Sequence, residues 1–185
     1  MILAACLILG LLLRFLTGNS IPQLAHVHLR GEAGLLALLC LQAAIPLVRT
    51  TGTLAQVAYW VWLATFPVLV GIAYVNRAAP GMAMVAVGLS LNLLVVGANG
   101  GMPVMPLGAY AAGMRGELRI APGDFVHIVG TVATRLPWLA DAIPLAGPTW
   151  LRLVPSAGDL LLYSGVIAFI AGVRPSLGSG RPPAK

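Results

Sequence analysis

The residues from Leu54 to Val75 form an apolar run of 22 residues without a charged side chain. As an α-helix, a run of this length covers about 33 Å, enough to cross the hydrocarbon core of a bilayer, which is about 30 Å thick. Tyr59, Trp60 and Trp62 lie near its start, a position where aromatic residues are typical of membrane interfaces. The run predicts a transmembrane helix, and it constrains the rest of the chain to a membrane fold.

The composition agrees with this interpretation. Hydrophobic residues make up 59% of the 185 residues and charged residues only 9%, with a mean hydropathy of +0.94. A soluble domain of this length could not bury so much apolar surface. The net charge is +6, but the arginines stand singly at the ends of apolar runs, so nucleic acid is not predicted as a partner. Cys6 and Cys40 lie within apolar runs and are predicted to be buried small hydrophobic residues.

Four further apolar segments predict membrane helices, at about 2–16, 33–48, 82–99 and 157–173. The first of them lacks a preceding basic residue and a small-x-small cleavage motif, so it is interpreted as a retained helix and not as a signal peptide. The expected fold is all-α: a polytopic bundle of about five transmembrane helices in a single domain, 1–174. The polar, proline-rich tail, 175–185, is predicted to be disordered.

The distribution of basic residues predicts the orientation of this bundle. An external N-terminus places most basic residues near the helix ends in the cytoplasm, namely Arg14, Arg30, Arg77, Arg174, Arg181 and Lys185. Arg49 is then the only basic residue in a short external loop. We therefore expect a multi-pass protein of the cell membrane, with a cytoplasmic C-terminus and with the long segment before the last helix on the outside.

The fourth apolar helix carries an unusual polar face. Gly88, Asn92 and Asn99 are spaced by four and seven residues, which aligns them on one side of a helix. An amide in hydrocarbon must find hydrogen-bond partners on neighbouring helices, and Gln42 and Gln56 are the expected ones. The face is interpreted either as interhelical hydrogen bonding or as an amide row that faces a ligand.

Residues 102–156 interrupt the helical pattern. The region from 102 to 158 holds half of the 14 prolines, so no continuous span can be drawn through it. A short helix is predicted after Pro106, and a second one after Asp124, with an apolar side formed by Phe125, Ile128, Val129, Val132 and Leu136. These pieces are expected to lie at the membrane interface or to form a re-entrant segment. Ser156 and Asp159 have the spacing of a capping box at the start of the last helix.

Three motifs of the chain are ANGGMPV at 98–104, TRLPWLADAIPL at 134–145 and PSAGDLL at 155–161. With these motifs the sequence resembles a family of small bacterial integral membrane proteins that is known only as a domain of unknown function. The resemblance extends over almost the whole chain, although Ala140 stands where glycine is expected and Met102 follows Gly101 directly, where family members often have one more residue. It implies the membrane architecture and carries no catalytic or binding assignment.

The polar residues predicted to lie outside the membrane suggest where a site could form. The catalytic candidates are His127, Asp141 and Asp159. The ligand-binding candidates are Asn92, Asn99, Gly100, Gly101 and Arg135. A histidine with two aspartates suits general acid and base chemistry on a lipid head group, and paired glycines can expose backbone N–H groups.

Each candidate also has a structural interpretation: Asp159 as a helix cap, Arg135 with Asp141 as an ion pair, and His127 on an exposed helix face. No metal site and no particular cofactor is predicted, since H-E-x-x-H, G-x-S-x-G, Walker and C-x-x-C motifs are absent from the sequence.

Three functions fit this sequence. The first is a non-catalytic membrane component that binds a partner protein or a lipid through 102–158, and it predicts a packed bundle without an enclosed polar cavity. The second is a binder or transporter of a small molecule or ion, with oligomers as one form, lined by Asn92 and Asn99. The third is a membrane-embedded enzyme acting on a lipid head group, which requires His127, Asp141 and Asp159 to lie close together.

Overall fold

The computed structural model describes residues 2–19, 24, 27–114, 118–145, 147 and 152–172. Its helices are α1 (Ile2–Leu16), α2 (Glu32–Ala44), α3 (Gly52–Val75), α4 (Met82–Asn99), α5 (Pro106–Ala111) and α6 (Ala157–Ala171). Two short 3₁₀ turns span Ile45–Leu47 and Pro137–Leu139, and the strands are β1 (Met102–Val104) and β2 (His127–Val129). The tail predicted to be disordered, 175–185, lies outside the described residues.

Two of these helices are long and apolar enough to cross a membrane, judged by length and composition. They are α3, with 24 residues, and α4, with 18 residues. The apolar helices α1, α2 and α6 are shorter, at 13 to 15 residues each. The structure thus confirms the expected helical fold: the chain is mostly helical and has two long apolar helices.

Helices α4 and α6 pack with their backbones almost in contact, because glycines line both faces. A Cβ atom on Gly88 would lie 2.5 Å from the carbonyl oxygen of Gly158, and one on Gly165 would lie 2.7 Å from that of Gly81. Helix α1 approaches the other end of α6 in the same way, with Gly10 against Ile170. Close helix approach through small residues is a common way to associate helices in a membrane.

The largest apolar core lies between α3 and α4 and extends to the segment that follows α4. It contains Trp62, Phe66, Leu69, Leu89, Val95, Val96, Met102 and Val126. The rings of Trp62 and Phe66 meet edge to face, with their centroids 4.9 Å apart. Cys6 is buried as predicted, whereas the prediction was wrong for Cys40, which is exposed on α2, a helix without buried residues.

The helix predicted after Asp124 is wrong, because residues His127–Val129 form a strand. This strand pairs in parallel with β1, so that Met102 faces His127 and Val104 faces Val129. The carboxylate of Asp124 accepts hydrogen bonds from the backbone N–H groups of Val126 and His127, at 2.9 and 3.1 Å, and so forms a turn instead of starting a helix. The β-branched residues after it then suit a strand once β1 offers free backbone groups.

Strand β1 is central in this small arrangement. On one side it bonds β2, and on the other side the backbone N–H of Asp141 donates to the carbonyl oxygen of Pro103, at 2.9 Å, and the N–H of Met105 donates to that of Asp141, at 2.8 Å. The helix predicted after Pro106 is present as α5. Segment 102–156 is therefore held together by backbone pairing around β1, which fixes where its polar side chains lie.

The glycine contact between α4 and α6 can be tested with two matched substitutions on α4. Gly88→Ala places a methyl group against the backbone of α6, and overpacking of this kind costs about 1–3 kcal/mol. Gly97→Ala meets no atom within 4 Å, and the better helix propensity of alanine is expected to leave stability unchanged or to raise it by up to about 1 kcal/mol. The free energy of unfolding in mild detergent, measured by titration with a denaturing detergent, compares the two. Equal effects of both substitutions would contradict the close packing of the two helices.

Candidate functional site

A partly open cavity of about 350 Å³ lies between segment 102–156 and the first turns of α6. Five of the residues that line it are polar: His127, Asp141, Arg152, Asp159 and Tyr163. Apolar side chains complete the wall, namely Val104, Met114, Leu153, Val154 and Pro155. The structure thus places all three predicted catalytic candidates around one cavity.

Asp159 lies at the start of α6, in the capping box that the sequence predicted. Its backbone N–H donates to Ser156 Oγ at 3.0 Å, and its Oδ2 accepts from the backbone N–H of Ser156 at 3.2 Å. Its other oxygen, Oδ1, accepts from Asn92 Nδ2 at 2.7 Å. A carboxylate is favoured at this end of a helix, because the free N–H groups there carry partial positive charge.

Asn92 is buried and belongs to this same network. Its Oδ1 accepts a hydrogen bond from Ser156 Oγ at 3.0 Å, while its Nδ2 donates to Asp159. The predicted partners Gln42 and Gln56 were wrong: Gln42 Nε2 donates instead to the hydroxyl of Thr65, at 2.6 Å. Asn92 therefore ties α4 to the beginning of α6, and its amide does not line the cavity.

Asp141 carries the least satisfied polar group of the site. Its side chain is buried, with 8% of the residue exposed, and Oδ1 has no hydrogen-bond partner among the described residues. Burial raises the pKa of this carboxyl to about 8, and the nearby carboxylate of Asp159 adds to the shift. At neutral pH the carboxyl of Asp141 is therefore mostly protonated. The ion pair predicted with Arg135 is not formed within the described part of the chain.

His127 reaches the cavity from β2 and is paired with Asp124. Its Nδ1 lies 3.0 Å from Asp124 Oδ2. Burial alone would raise the pKa of Asp124, but hydrogen bonds from the His127 ring and from the backbone N–H groups of His127 and Val126 outweigh it and lower that pKa below its usual value. The carboxylate of Asp124 orients the imidazole and leaves Nε2 on the far side of the ring.

Arg152 and Tyr163 also line the cavity, and the sequence reasoning missed both. The guanidinium of Arg152 donates from Nε to the carbonyl oxygen of Gly147 at 3.1 Å and from Nη1 to that of Gly113 at 2.9 Å. Two signals could have indicated them. Arg152 is the only charged residue between Asp141 and Asp159, and Tyr163 follows Asp159 by four residues, which places both on one face of α6.

The remaining predicted ligand-binding residues lie away from the cavity. Asn99 ends α4 and pairs with the backbone of Arg135: Nδ2 donates to its carbonyl oxygen at 2.9 Å, and Oδ1 accepts from its N–H at 2.8 Å. Gly100 ends the helix in a left-handed conformation, with φ 74°. Gly101 packs closely, and a Cβ atom there would lie 2.9 Å from Ile128. These residues join α4 to segment 102–156.

The chemistry of the cavity follows from these contacts. Both oxygens of Asp159 and Nδ1 of His127 are already engaged, so the carboxyl of Asp141 is the acidic group of the cavity that keeps unused hydrogen-bonding capacity. In its protonated form it can donate one hydrogen bond and accept others, and in its ionised form it can pair with a cation. Among the described residues, no group of three or more His, Cys, Asp or Glu side chains could hold a metal ion.

The raised pKa of Asp141 predicts that stability depends on pH. Because the folded protein holds this proton more tightly than the unfolded chain does, the contribution to stability is greatest near pH 4 and is lost as the pH rises through about 8. Between pH 5 and pH 8 we expect wild type to lose on the order of 2–4 kcal/mol more than Asp141→Asn. The free energy of unfolding in detergent at several pH values measures the difference. Glu32→Gln, which removes an exposed carboxylate, should follow wild type, and a slope that is the same in Asp141→Asn would contradict the prediction.

Comparison with known proteins agrees with the resemblance seen in the sequence. A family of unknown function, DUF5317, matches residues 26–171. An uncharacterized protein of Thermotoga maritima is 35% identical over 97 residues, which are 51% of this chain and 52% of that protein, so the chain spans about half the length of this relative. No solved structure matches the chain. Since the match covers most of its length, the chain belongs to DUF5317, a family of unknown function.

Proposed function

We propose that this chain is an integral membrane protein that binds a lipid or a small polar molecule, without catalysis, in the cavity around Asp141. The observation that carries the proposal is the buried carboxyl of Asp141: its Oδ1 lacks a partner in the described chain, and the same residue lines the cavity. A buried polar atom without a hydrogen bond costs about 1–3 kcal/mol, and nearly all such atoms in native proteins are satisfied. A ligand that hydrogen-bonds the carboxyl of Asp141 from the cavity would offset part of this cost.

The apolar surface supports a place in the membrane. Besides the length of α3 and α4, large apolar side chains are exposed along the outer faces of several helices, with Phe15 on α1 at 82% and Trp60 on α3 at 64%. An apolar surface of this extent is costly in water and favourable in lipid. We propose five spans, in which α1, α2 and α6 cross with the help of local thinning of the bilayer.

Segment 102–156 is placed by this proposal at the outer interface. Leu107 and Tyr110 on α5 are 80% and 71% exposed, and Trp138 in the neighbouring turn is 71% exposed. Aromatic and apolar side chains exposed together suit the level of the lipid head groups, where one end of each ring meets water. The cavity would then open close to the head groups, where a lipid can reach it. A second membrane protein or another copy of the chain is the proposed partner of the surrounding surface.

Binding explains the arrangement better than transport or catalysis does. The amides of Asn92 and Asn99 are both engaged in hydrogen bonds within the protein, so a path lined by them would have to break these contacts. A catalytic role for His127, Asp141 and Asp159 is favoured by their common cavity. However, the carboxylate of Asp159 is committed to the cap of α6, which leaves it poorly placed as an acid or a base.

Native mass spectrometry of the detergent-purified protein tests the binding. Wild type is expected to retain a ligand that appears as an added mass, and Asp141→Leu is expected to lose it, because the substitution removes the carboxyl and keeps the same branching and number of side-chain heavy atoms. Glu32→Gln is the control for the loss of one carboxylate elsewhere and should keep the ligand. Equal occupancy in wild type and Asp141→Leu would contradict a site at Asp141.

The proposed orientation is testable by labelling single cysteines in a variant that lacks Cys6 and Cys40. A membrane-impermeant thiol reagent should modify Leu107→Cys in intact cells, because α5 is expected on the outside. Ala78→Cys, in the exposed turn between α3 and α4, should react only after the cells are made permeable. The opposite pattern would reverse the orientation, and labelling of both positions in intact cells would contradict a span between them.

A further inference from the structure

We propose that the cavity takes a zwitterion, with an ammonium group between Asp141 and Asp159 and an anionic group on the side of Arg152. This inference rests on the proposed function and names the ligand class of the same site. The chemistry is that of ethanolamine phosphate, which occurs both as a lipid head group and as a free molecule.

The ammonium end of the ligand follows from the two carboxyl groups. Asp141 presents an oxygen without a partner, and Asp159 lies near enough for its charge to raise the pKa of Asp141. Two neighbouring carboxyls, one buried and one partly buried, favour a proton or a cation between them. An ammonium group carries three N–H donors and one positive charge, so it can bond the carboxylate of Asp141 from the cavity and balance the carboxylate of Asp159 while the proton of Asp141 leaves to solvent.

A primary ammonium suits this place better than a metal ion or a quaternary amine. In the described chain, no set of three or more acidic, histidine or cysteine side chains is arranged to hold a metal. A quaternary amine has no N–H group and could not donate a hydrogen bond to the carboxylate of Asp141. Tyr163 and His127 also line the cavity, and a phenol oxygen and the Nε2 of a neutral imidazole can each accept a hydrogen bond from an ammonium.

The anionic end of the ligand follows from Arg152. Its guanidinium is held by the carbonyl oxygens of Gly113 and Gly147, which are neutral, and no carboxylate pairs with it among the described residues. A simple monocation would be repelled by this charge, whereas a phosphate or carboxylate group on the same ligand would be attracted to it. The guanidinium is fixed by two bonds before any ligand arrives, which lowers the entropy cost of binding.

The size of the cavity limits what can enter. At about 350 Å³ it lies at the small end of ligand sites, which range from about 300 to 1,000 Å³. A head group fills such a volume, and acyl chains do not fit. Leu153 and Val154 form an apolar part of the wall, where the glycerol and the first carbons of a lipid could pass toward the bilayer.

The test uses the full-length, delipidated protein in detergent and isothermal titration calorimetry with four short-chain lipids of equal chain length. Their head groups are ethanolamine phosphate, choline phosphate, glycerol phosphate and serine phosphate. The ethanolamine lipid is expected to bind at least about tenfold more tightly than the choline and glycerol lipids, a difference of about 1.4 kcal/mol. The serine lipid, which adds a negative charge near the two carboxyls, should bind more weakly than the ethanolamine lipid. Equal affinities for the ethanolamine, choline and glycerol lipids would overturn the proposal.

Soluble probes separate the two sources of the ligand. If the head group alone is recognised, glycerophosphoethanolamine binds as tightly as the lipid, and the source is a free molecule. If the membrane supplies the ligand, the lipid binds more tightly than glycerophosphoethanolamine. In both cases glycerophosphoethanolamine should bind at least about tenfold more tightly than ethanolamine, which lacks the anionic group. Equal binding of these two soluble compounds would overturn the role of Arg152 without any substitution.

Substitutions assign the two ends of the ligand. Asp141→Asn and Arg152→Gln should each weaken binding of the ethanolamine lipid at least about tenfold, while Glu32→Gln leaves it unchanged. The melting temperature of each variant is measured to check that it folds, and binding is compared well below it. The soluble probes above decide the role of Arg152 if Arg152→Gln does not fold. An Asp141-dependent ligand of another chemistry, found by native mass spectrometry, would overturn the zwitterion and leave the binding site standing. Loss of every Asp141-dependent ligand would overturn both.

Discussion

The close contact between α4 and α6 is the constraint on which the rest of the structure depends. Glycines bring the two backbones together, and beside them Asn92, Ser156 and Asp159 form a buried set of hydrogen bonds that crosses the same contact. In apolar surroundings such hydrogen bonds are strong, and leaving any of these groups unpaired is costly. The network therefore fixes the register of α6 against α4. The first turns of α6 carry Asp159 and Tyr163, and the contact thereby sets one wall of the cavity.

A single asparagine lies at the end of each of the two long apolar helices and bonds the backbone of another segment. Asn76, after α3, pairs with both backbone groups of Arg30, and Asn99, at the end of α4, pairs with both backbone groups of Arg135. Each amide also donates to the carbonyl oxygen four residues earlier, one of the groups that a helix end leaves unsatisfied. A single amide thus ends a helix and holds the adjoining segment without an ion pair, which suits a chain with few charges.

Local sequence patterns predicted those elements that depend on residues close together in the chain. The apolar runs marked the helices, and the spacing of Ser156 and Asp159 marked the capping box. The strand His127–Val129 was missed because so short a segment suits either a strand or a helix. The residues that decide are those of β1, which lie about 25 residues earlier in the chain. The partner of Asn92 was missed for the same reason, since it sits on a helix more than 60 residues away. The cavity depends on such distant contacts, which no local pattern contains.

Asp141 takes part both in the backbone pairing around β1 and in the wall of the cavity. Its backbone N–H and C=O complete the pairing of β1, so the position of the residue is set by bonds that do not involve its carboxyl. The unpartnered oxygen of that carboxyl therefore belongs to a residue whose backbone is held on both sides by hydrogen bonds to the β1 segment. Burial beside Asp159 keeps the group protonated at neutral pH, and a positively charged donor in the cavity would reverse that preference. One rigidly placed acid can then respond to a ligand by changing its charge while the surrounding backbone stays in place.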